Sequence, residues 1–582
     1  MHKVWVFQRY SSLKIPCVLY SRGDYTRGFT AYIYIIGIYK CTTNTDLSVS
    51  EITEEILKKC GGYSLFQKIL TIYVVIFVTC HSQAILTMVF IRESVPFACY
   101  PSNFNESLIP PNITLDEFLN KAAVEEEKCS VYNLDTKEGF YILPTSNSTK
   151  EPCNNGRKFY SDHLSSIVSE FDLVCEREWL KNIAVSAMFA GFLVGNILFG
   201  TLSDAFGRYK IFCVADLLNI FCRFVKIYSP NYTVFCIIYI IEGFGIAGTY
   251  IVLFTILQEC VAQNYRMRLN YLMHGTFGFG AMILAGVAYV FPKWQHLLYA
   301  SVIPPALVVI VALKFLPESP RWLLNKGKFT EAEKSFEKIA KTNRKNAAIA
   351  VKLIQKLQTE RKSKLQAEID ENMKLGSKKI HKTYTAIDLL KKPRRAMISV
   401  NIWFNWLINS MIYYGVTLNS VDMSGNRYVN FLVMSAVEIP ANILGCISFK
   451  WFGHRKPLCF FMVFGGINCI VSNFVPKGNF WFPLILAVLG KLGATASFDG
   501  VYLTTAEIFP TSVRNGGMGT ASSFARFGGL ISAPMLGLSV YGSWIPLSIF
   551  GVFGIVAGLL VLLLPETKDA CLLQTLEDMD NL

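Results

Sequence analysis

The segment SSFARFGGL, residues 522–530, sets a guanidinium among small and apolar side chains. The uncharged sequence continues on both sides, from Gly516 to Leu536, with Arg526 at its midpoint. A charge that deep in a bilayer costs about 2.5–3.5 kcal/mol on insertion scales, so such residues face a bundle interior and mark a pathway or an internal ion pair. Glu438 in VEIPAN, and Lys491 and Asp499 in GKLGATASFDGVY, are further charges inside apolar runs. Arginine recognises a carboxylate through a planar two-bond fork, and a carboxylate attracts an ammonium. Trp406, Asn409 and Tyr413, at offsets 0, 3 and 7, share one helical face; Lys491, Phe498 and Tyr502 share another, with Asp499 beside it. Aromatic faces attract quaternary ammonium, worth about 2 kcal/mol or more when desolvated. A chamber holding both charges suits a small zwitterion: Glu438 attracts the ammonium and Arg526 grips the carboxylate. In the alternative, Arg526 pairs with Glu438 or Asp499 and the aromatic stripes pack against neighbouring helices.

Spanning helices must hold these residues. Mean hydropathy is +0.36 and 17% of residues are charged, against roughly 25% in soluble domains. Apolar runs of the length a ~30 Å hydrocarbon core requires recur at 66–91, 181–202, 210–228, 233–255, 270–291, 296–316, 396–416, 428–449, 457–475, 480–503, 516–537 and 544–564. An all-α membrane protein of twelve transmembrane helices is expected. Its cytoplasmic amino-terminal segment, 1–60, precedes a six-helix half, 61–316, that carries a large extracellular loop, 92–179, between its first two helices. A cytoplasmic basic linker with short helices, 317–395, leads to a second half, 396–564, and a cytoplasmic tail, 565–582. The stretch 1–47 is read as poorly ordered or extended and receives no function.

Charge placement sets this orientation. Residues 317–395 hold 21 Lys and Arg against 9 Asp and Glu, whereas 92–179 hold 8 against 15. Basic residues favour cytoplasmic loops, so the net charge of +14 reports sidedness rather than nucleic-acid binding. Cys99, Cys129, Cys153 and Cys175 in the acidic loop imply two disulfides of open pairing in an oxidising compartment. Sequons begin there at Asn105, Asn112 and Asn147. In the linker, Phe336, Ile339 and Ala340 predict short amphipathic helices lying along the membrane face.

Matched offsets reveal an internal repeat. Glu259 and Arg266 recur 248 residues later as Glu507 and Arg514; PES at Pro317 recurs at the same offset as PET at Pro565; FGR at 206–208 recurs after 246 as FGH. Parallel six-helix repeats with a midplane site between them are the major facilitator architecture. In GTLSDAFGRYK, Gly200 and Gly207 permit a tight turn and close helix approach. Asp204 and Arg208 form an ion pair, or the carboxylate caps a helix across the interface between halves. With Glu259, Arg266, Glu507 and Arg514 they are expected to form a latch for alternating access.

The segments SSIVSEFDLVCEREWL (165–180), GFLVGNILFGTLSDAFGRYK (191–210), PESPRWLL (317–324), YYG (413–415) and AEIFPTSVRNGGMG (506–519), with the 490–502 run, resemble the organic cation, anion and carnitine transporters of solute carrier family 22. The resemblance covers about residue 50 to 582 and implies movement of small organic ions across the plasma membrane. It implies that the position of Arg526 is acidic in cation-selective relatives and arginine in anion and carnitine carriers, and that Glu438 matches an acid of cation and carnitine members. It places Asn442 where several anion carriers have lysine, and Tyr250 at an aromatic position of cation-type relatives. Ala205 and Tyr209 depart from the basic residues usual in the latch; Tyr239 and Gln295 stand where many relatives carry arginine.

A carrier of zwitterions such as carnitine or a betaine is expected, with both termini cytoplasmic. The alternatives are a polyspecific cation or anion carrier, or a non-transporting receptor on a carrier scaffold. Seven histidines are scattered without metal-ligand spacing, and no phosphate-cradling Gly-Lys-Ser/Thr loop occurs, so no enzyme, metal site or ATP-driven pump is expected. GFGIAG at 243–248 is read as close helix packing. No cofactor is expected beyond a coupling Na+ or H+, for which Asp499 is the candidate; the expected partners are the substrate and the bilayer.

Overall fold

The computed structural model describes residues 49–582, apart from 103, 125–128, 135, 138–139, 145–147, 161–163, 376–385, 424, 476–480, 511–512, 569–572, 574–575 and 581–582. The expectations for residues 1–47 and Asn147 fall outside the described residues.

Helix α1 (Val49–Lys59) precedes the first long helix, α2 (Leu65–Ile91), where the Ser64 amide donates to Gln67 Oε1 at 3.2 Å and so closes one open donor at the helix start. The 92–179 segment follows, with α3 (Leu115–Ala122) and α4 (Ile167–Glu170). Then come α5 (Leu180–Phe206), α6 (Arg208–Lys226), α7 (Tyr232–Cys260), α8 (Gln263–Val290) and α9 (Trp294–Phe315). The linker forms α10 (Pro320–Asn325), α11 (Phe329–Thr342) and α12 (Ala348–Leu375). The second half comprises α13 (Pro393–Asn419), α14 (Arg427–Ala436), α15 (Glu438–Phe452), α16 (Arg455–Val471), α17 (Trp481–Ile508), α18 (Arg514–Gly537) and α19 (Ile545–Val561), before a short tail helix, α20 (Leu576–Asp580). Among the described residues, eight helical segments are long and apolar enough to cross a membrane, and Ile545–Val561 is a shorter apolar helix. Helices α6, α13 and α18 occupy the other expected spans, but charged, amide or glycine residues dilute their hydropathy.

One span is broken. Proline 440 lacks an N–H and its ring crowds the carbonyl four residues earlier; the helix is interrupted at Val437, and Glu438 stands at the start of the new segment. Elsewhere small residues bring helices close. A Cβ on Gly243 of GFGIAG would stand 2.1 Å from the Met188 carbonyl oxygen of α5, so close helix packing accounts for that motif.

A buried charge cluster ties α6, α7 and α9 together. Arg223 Nε lies 3.1 Å from Glu242 Oε1 and its Nη1 donates to the Ser301 carbonyl at 3.3 Å. Lys226 pairs with the other oxygen of Glu242 and sits 3.8 Å above the ring of Tyr239. All three charged side chains are at most 1% exposed.

The helical bundle is all-α, but the 92–179 segment is not. It contains three antiparallel strand pairs, β1 (Phe97–Cys99) with β6 (Arg157–Phe159), β2 (Ser130–Tyr132) with β5 (Lys150–Pro152), and β3 (Thr136–Lys137) with β4 (Phe140–Tyr141). Disulfides Cys99–Cys153 and Cys129–Cys175 cross-link it. Asn105 and Asn112 are exposed on it. So small a unit buries little apolar surface, which leaves cross-links to restrict its unfolded chain.

The linker helices depart from expectation. Phe336, Ile339 and Ala340 are fully buried in a cluster with Ile56 and Leu57 of α1 and Trp322 of α10, not laid on lipid. Asn343 accepts the Phe66 amide at 2.7 Å and donates to the Cys60 carbonyl at 2.8 Å, fastening the linker to the start of α2. The amphipathic face finds its apolar surface in the first half itself.

Candidate functional site

A partly open cavity, lined by aromatic and charged side chains, lies between the halves. From the first half, α2 contributes His81, α5 Phe192, α7 Tyr250 and α8 His274. From the second, Tyr413 and Tyr414 come from α13, Glu438 and Asn442 from α15, Phe498, Asp499 and Tyr502 from α17, and Arg526 from α18. Of the residues singled out for substrate binding, Arg526, Glu438, Tyr413, Tyr250, Phe498, Asp499 and Tyr502 line this space.

Three others stand behind its wall. Trp406 is 1% exposed, donates through Nε1 to Thr505 Oγ1 at 2.9 Å, and packs edge-on against Tyr502 with centroids 4.2 Å apart. Asn409 donates to Ser497 Oγ at 2.9 Å. Lys491, also 1% exposed, sits 3.3 Å over the Tyr413 ring and 3.0 Å from Glu438 Oε1. These residues set the rotamers of the lining and do not face the cavity.

The charges sort differently from either expected pairing. Glu438 is held by Lys491 and accepts the Tyr413 hydroxyl at 2.7 Å, so its carboxylate is already compensated. Asp499 Oδ1 lies 3.2 Å from His274 Nδ1 on α8, and Oδ2 is buried without a hydrogen-bond partner among the described residues. Arg526 pairs with neither acid. Its Cζ stands 4.2 Å from the Phe192 ring centroid and its Nε is buried and unpartnered. Among the described residues, its guanidinium therefore faces the cavity with an aromatic ring as its support and no carboxylate as its counter-ion.

His81, Phe192, His274 and Tyr414 escaped the sequence reading. The histidines were legible only as residues scattered in apolar runs, because their common facing depends on how α2 and α8 pack.

Contacts between the halves seal the end that carries the 92–179 loop. Arg92 Nη2 lies 2.6 Å from Asp422 Oδ2 and donates to the Leu418 carbonyl at 2.8 Å. Arg427 pairs with Glu93; burial pushes that carboxyl above its ordinary range while Arg427 pulls it down. Ser186 on α5 donates to the Leu530 carbonyl on α18 at 2.8 Å.

At the linker end the expected latch residues all pair within one half. Arg208 joins Asp204 at 2.6 Å and Glu259 at 3.3 Å; Arg266 joins Glu54 at 3.0 Å; Glu507 joins His454 at 2.8 Å; Arg514 donates to the Phe509 carbonyl at 3.1 Å. Glu259 and Glu507 thus reach the matching FGR and FGH motifs rather than Arg266 and Arg514. Among the described residues, no atom outside its own helix lies within 4 Å of where a Cβ on Gly200 would stand, so its expected close approach is absent there.

The carboxylates that cap helix starts are Glu318 of PES and Glu566 of PET, which the sequence reading left without a role. Gly207 (φ +114) and Gly453 (φ +85) turn the chain into α6 and α16. Glu318 Oε1 then accepts the Arg208 amide at 2.8 Å, and Glu566 Oε1 the His454 amide at 2.9 Å. Burial pushes the Glu566 carboxyl up, but the amides of His454, Lys568 and Arg455 more than offset this and hold it below the usual glutamate range. Replacing Glu318 by Ala should cost about 1–2 kcal/mol, as loss of a helix cap does. Glu566→Ala should give a comparable fall in melting temperature of purified protein; a shift in only one of them would show the two caps to be inequivalent.

Residues 128–582 match the family described as Sugar (and other) transporter. The chain is 34% identical over 465 residues to an organic cation transporter protein of Drosophila melanogaster, covering 79% of this chain and 83% of that one. It is 32% identical to solute carrier family 22 member 2 of Rattus norvegicus, over 74% of each chain. It is 29% identical to organic cation/carnitine transporter 2 of Homo sapiens, over 90% of this chain and 93% of that one. Among solved structures, the inward-open xylose transporter XylE of E. coli aligns over 88% of this chain and 99% of its own, with a TM-score of 0.55 at 16% identity. That likeness is one of fold.

Proposed function

This chain belongs to the sugar (and other) transporter family and, within it, to the organic cation, anion and carnitine carriers of solute carrier family 22; from that membership we propose that it moves zwitterions of the carnitine or betaine type by alternating access. A carrier of organic ions in a multi-pass membrane setting, and not an enzyme, is what the family comprises. The zwitterion reading rests on one observation: the guanidinium of Arg526, without an acidic partner among the described residues, opens on the same cavity as Glu438 and Asp499. The substrate carboxylate docks on Arg526. Its ammonium lies among the faces of Tyr250, Tyr413, Phe498 and Tyr502, within the field of two carboxylates. Compensation by Lys491 makes Glu438 a weaker attractor than the sequence implied and leaves the aromatic faces the larger share of that role.

A polyspecific organic cation carrier is the second reading, supported by two carboxylates and the aromatic lining of the same cavity. We place the protein in the plasma membrane, with twelve spans and both termini cytoplasmic. Basic residues of 317–395 and the disulfide-linked acidic 92–179 segment support that orientation. On this orientation the contacts between halves formed by Arg92, Arg427 and Ser186 lie on the extracellular side.

An uptake panel of radiolabelled carnitine, a tetraalkylammonium and an aromatic carboxylate decides. Saturable accumulation of carnitine above the other two is expected. Uptake of the tetraalkylammonium alone would favour the cation carrier, and binding without accumulation a receptor.

A further inference from the structure

The pair formed by His274 and Asp499 joins the two halves inside the cavity itself. Helix α8 belongs to the first half and α17 to the second, and the imidazole Nδ1 lies 3.2 Å from the carboxylate. The Asp499 side chain is 5% exposed and His274 21%, so the carboxylate is sequestered while the ring remains reachable from the cavity. The other ion pairs described here between halves, Arg92–Asp422 and Arg427–Glu93, lie at the loop end. A bond between halves that depends on an imidazole is stronger when the ring is charged, because a neutral ring offers a buried carboxylate one neutral donor and no counter-charge.

Among the groups around it, this imidazole is the one that meets a carboxylate of the other half. On α2, the His81 ring stacks against Phe77 and Tyr250 at 5.7 and 5.1 Å, and among the described residues both its nitrogens lack hydrogen-bond partners. On α15, Glu438 is compensated by Lys491 of α17, and Cys446 is a thiol. Arg526 comes from α18, and phenols come from Tyr250 on α7, Tyr271 on α8, Tyr413 and Tyr414 on α13 and Tyr502 on α17.

We propose that His274 and Asp499 form a proton-operated clasp: a proton taken from water onto His274 holds the halves in the conformation described, and its return to water releases them, making transport pH-dependent. The proposal rests on the cavity being the transport site and deepens that reading, naming the proton as coupling ion. The side on which each exchange occurs sets whether protons are carried with the substrate or against it.

The test uses full-length protein and two readouts. Purified wild type melted between pH 5.5 and 8.5 should be most stable in acid and lose that increment as pH rises through the imidazole range; His274→Gln, which keeps a hydrogen-bond donor but cannot titrate there, should lack this component. In cells, the pH dependence of tetraalkylammonium and carnitine uptake should span roughly threefold to tenfold in wild type, about half to one decade per unit of proton linkage, and flatten in His274→Gln whatever its absolute rate. Asp499→Asn should flatten both profiles too, and serves if the glutamine variant does not fold. Parallel pH profiles for wild type and both variants would overturn the clasp. If no substrate is taken up, the carrier reading fails while the melting profiles still decide the clasp.

Discussion

Replacing Arg526 by Ala should lower carnitine kcat/KM by roughly 30-fold or more, the equivalent of about 2 kcal/mol for charge-assisted hydrogen bonds lost from a sequestered site. Tetraalkylammonium uptake, which needs no grip on a carboxylate, should fall far less. The expectation follows from geometry: the guanidinium rests on Phe192 at 4.2 Å and has no acid to neutralise among the described residues. Lysine at this position retains the charge but loses the planar fork and the stacking on the ring, so Arg526→Lys should recover only part of carnitine uptake. Initial-rate uptake at matched surface expression checks both variants. Equal losses for the two substrates, or none for either, would remove Arg526 from substrate selection.

Glu242→Ala should cost about 3–5 kcal/mol of stability, because it leaves Arg223 and Lys226 buried without their counter-ion. The helices α6, α7 and α9 lose their shared anchor, and mature protein at the cell surface should fall severely. Adding Lys226→Met should recover part of the loss, since an apolar chain of similar length replaces one uncompensated cation. Surface abundance and melting of detergent-purified protein provide the readout. Wild-type abundance for Glu242→Ala would mean that the cluster contributes little to the fold.

The repeat shows how far the sequence reached. Equal offsets located PES and PET, but the latch was sought in Asp204 and in the Glu–Arg pairs nearest in sequence. The structure assigns helix capping to Glu318 and Glu566, whose partners lie more than a hundred residues away. Local spacing favoured the near partner; the orientation of a helix start with open N–H groups selected the far one. Helical spacing likewise put Trp406, Asn409 and Tyr413 on a common face, yet only Tyr413 reaches the cavity. A face of a helix spans about 100 degrees, enough for one edge to meet a neighbour while the other meets open space.

By itself the sequence determined the helical transporter class, the clustering of four cysteines in one acidic segment and the family, because apolar run length, charge bias and motifs are properties of the chain in one dimension. Packing alone decided which cysteines joined, that Lys491 compensates Glu438, that His274 meets Asp499, and that Arg526 was left without an acid. Each of these depends on distances of a few ångströms between helices remote in sequence, and electrostatic pairing in a sequestered interior changes steeply over such distances.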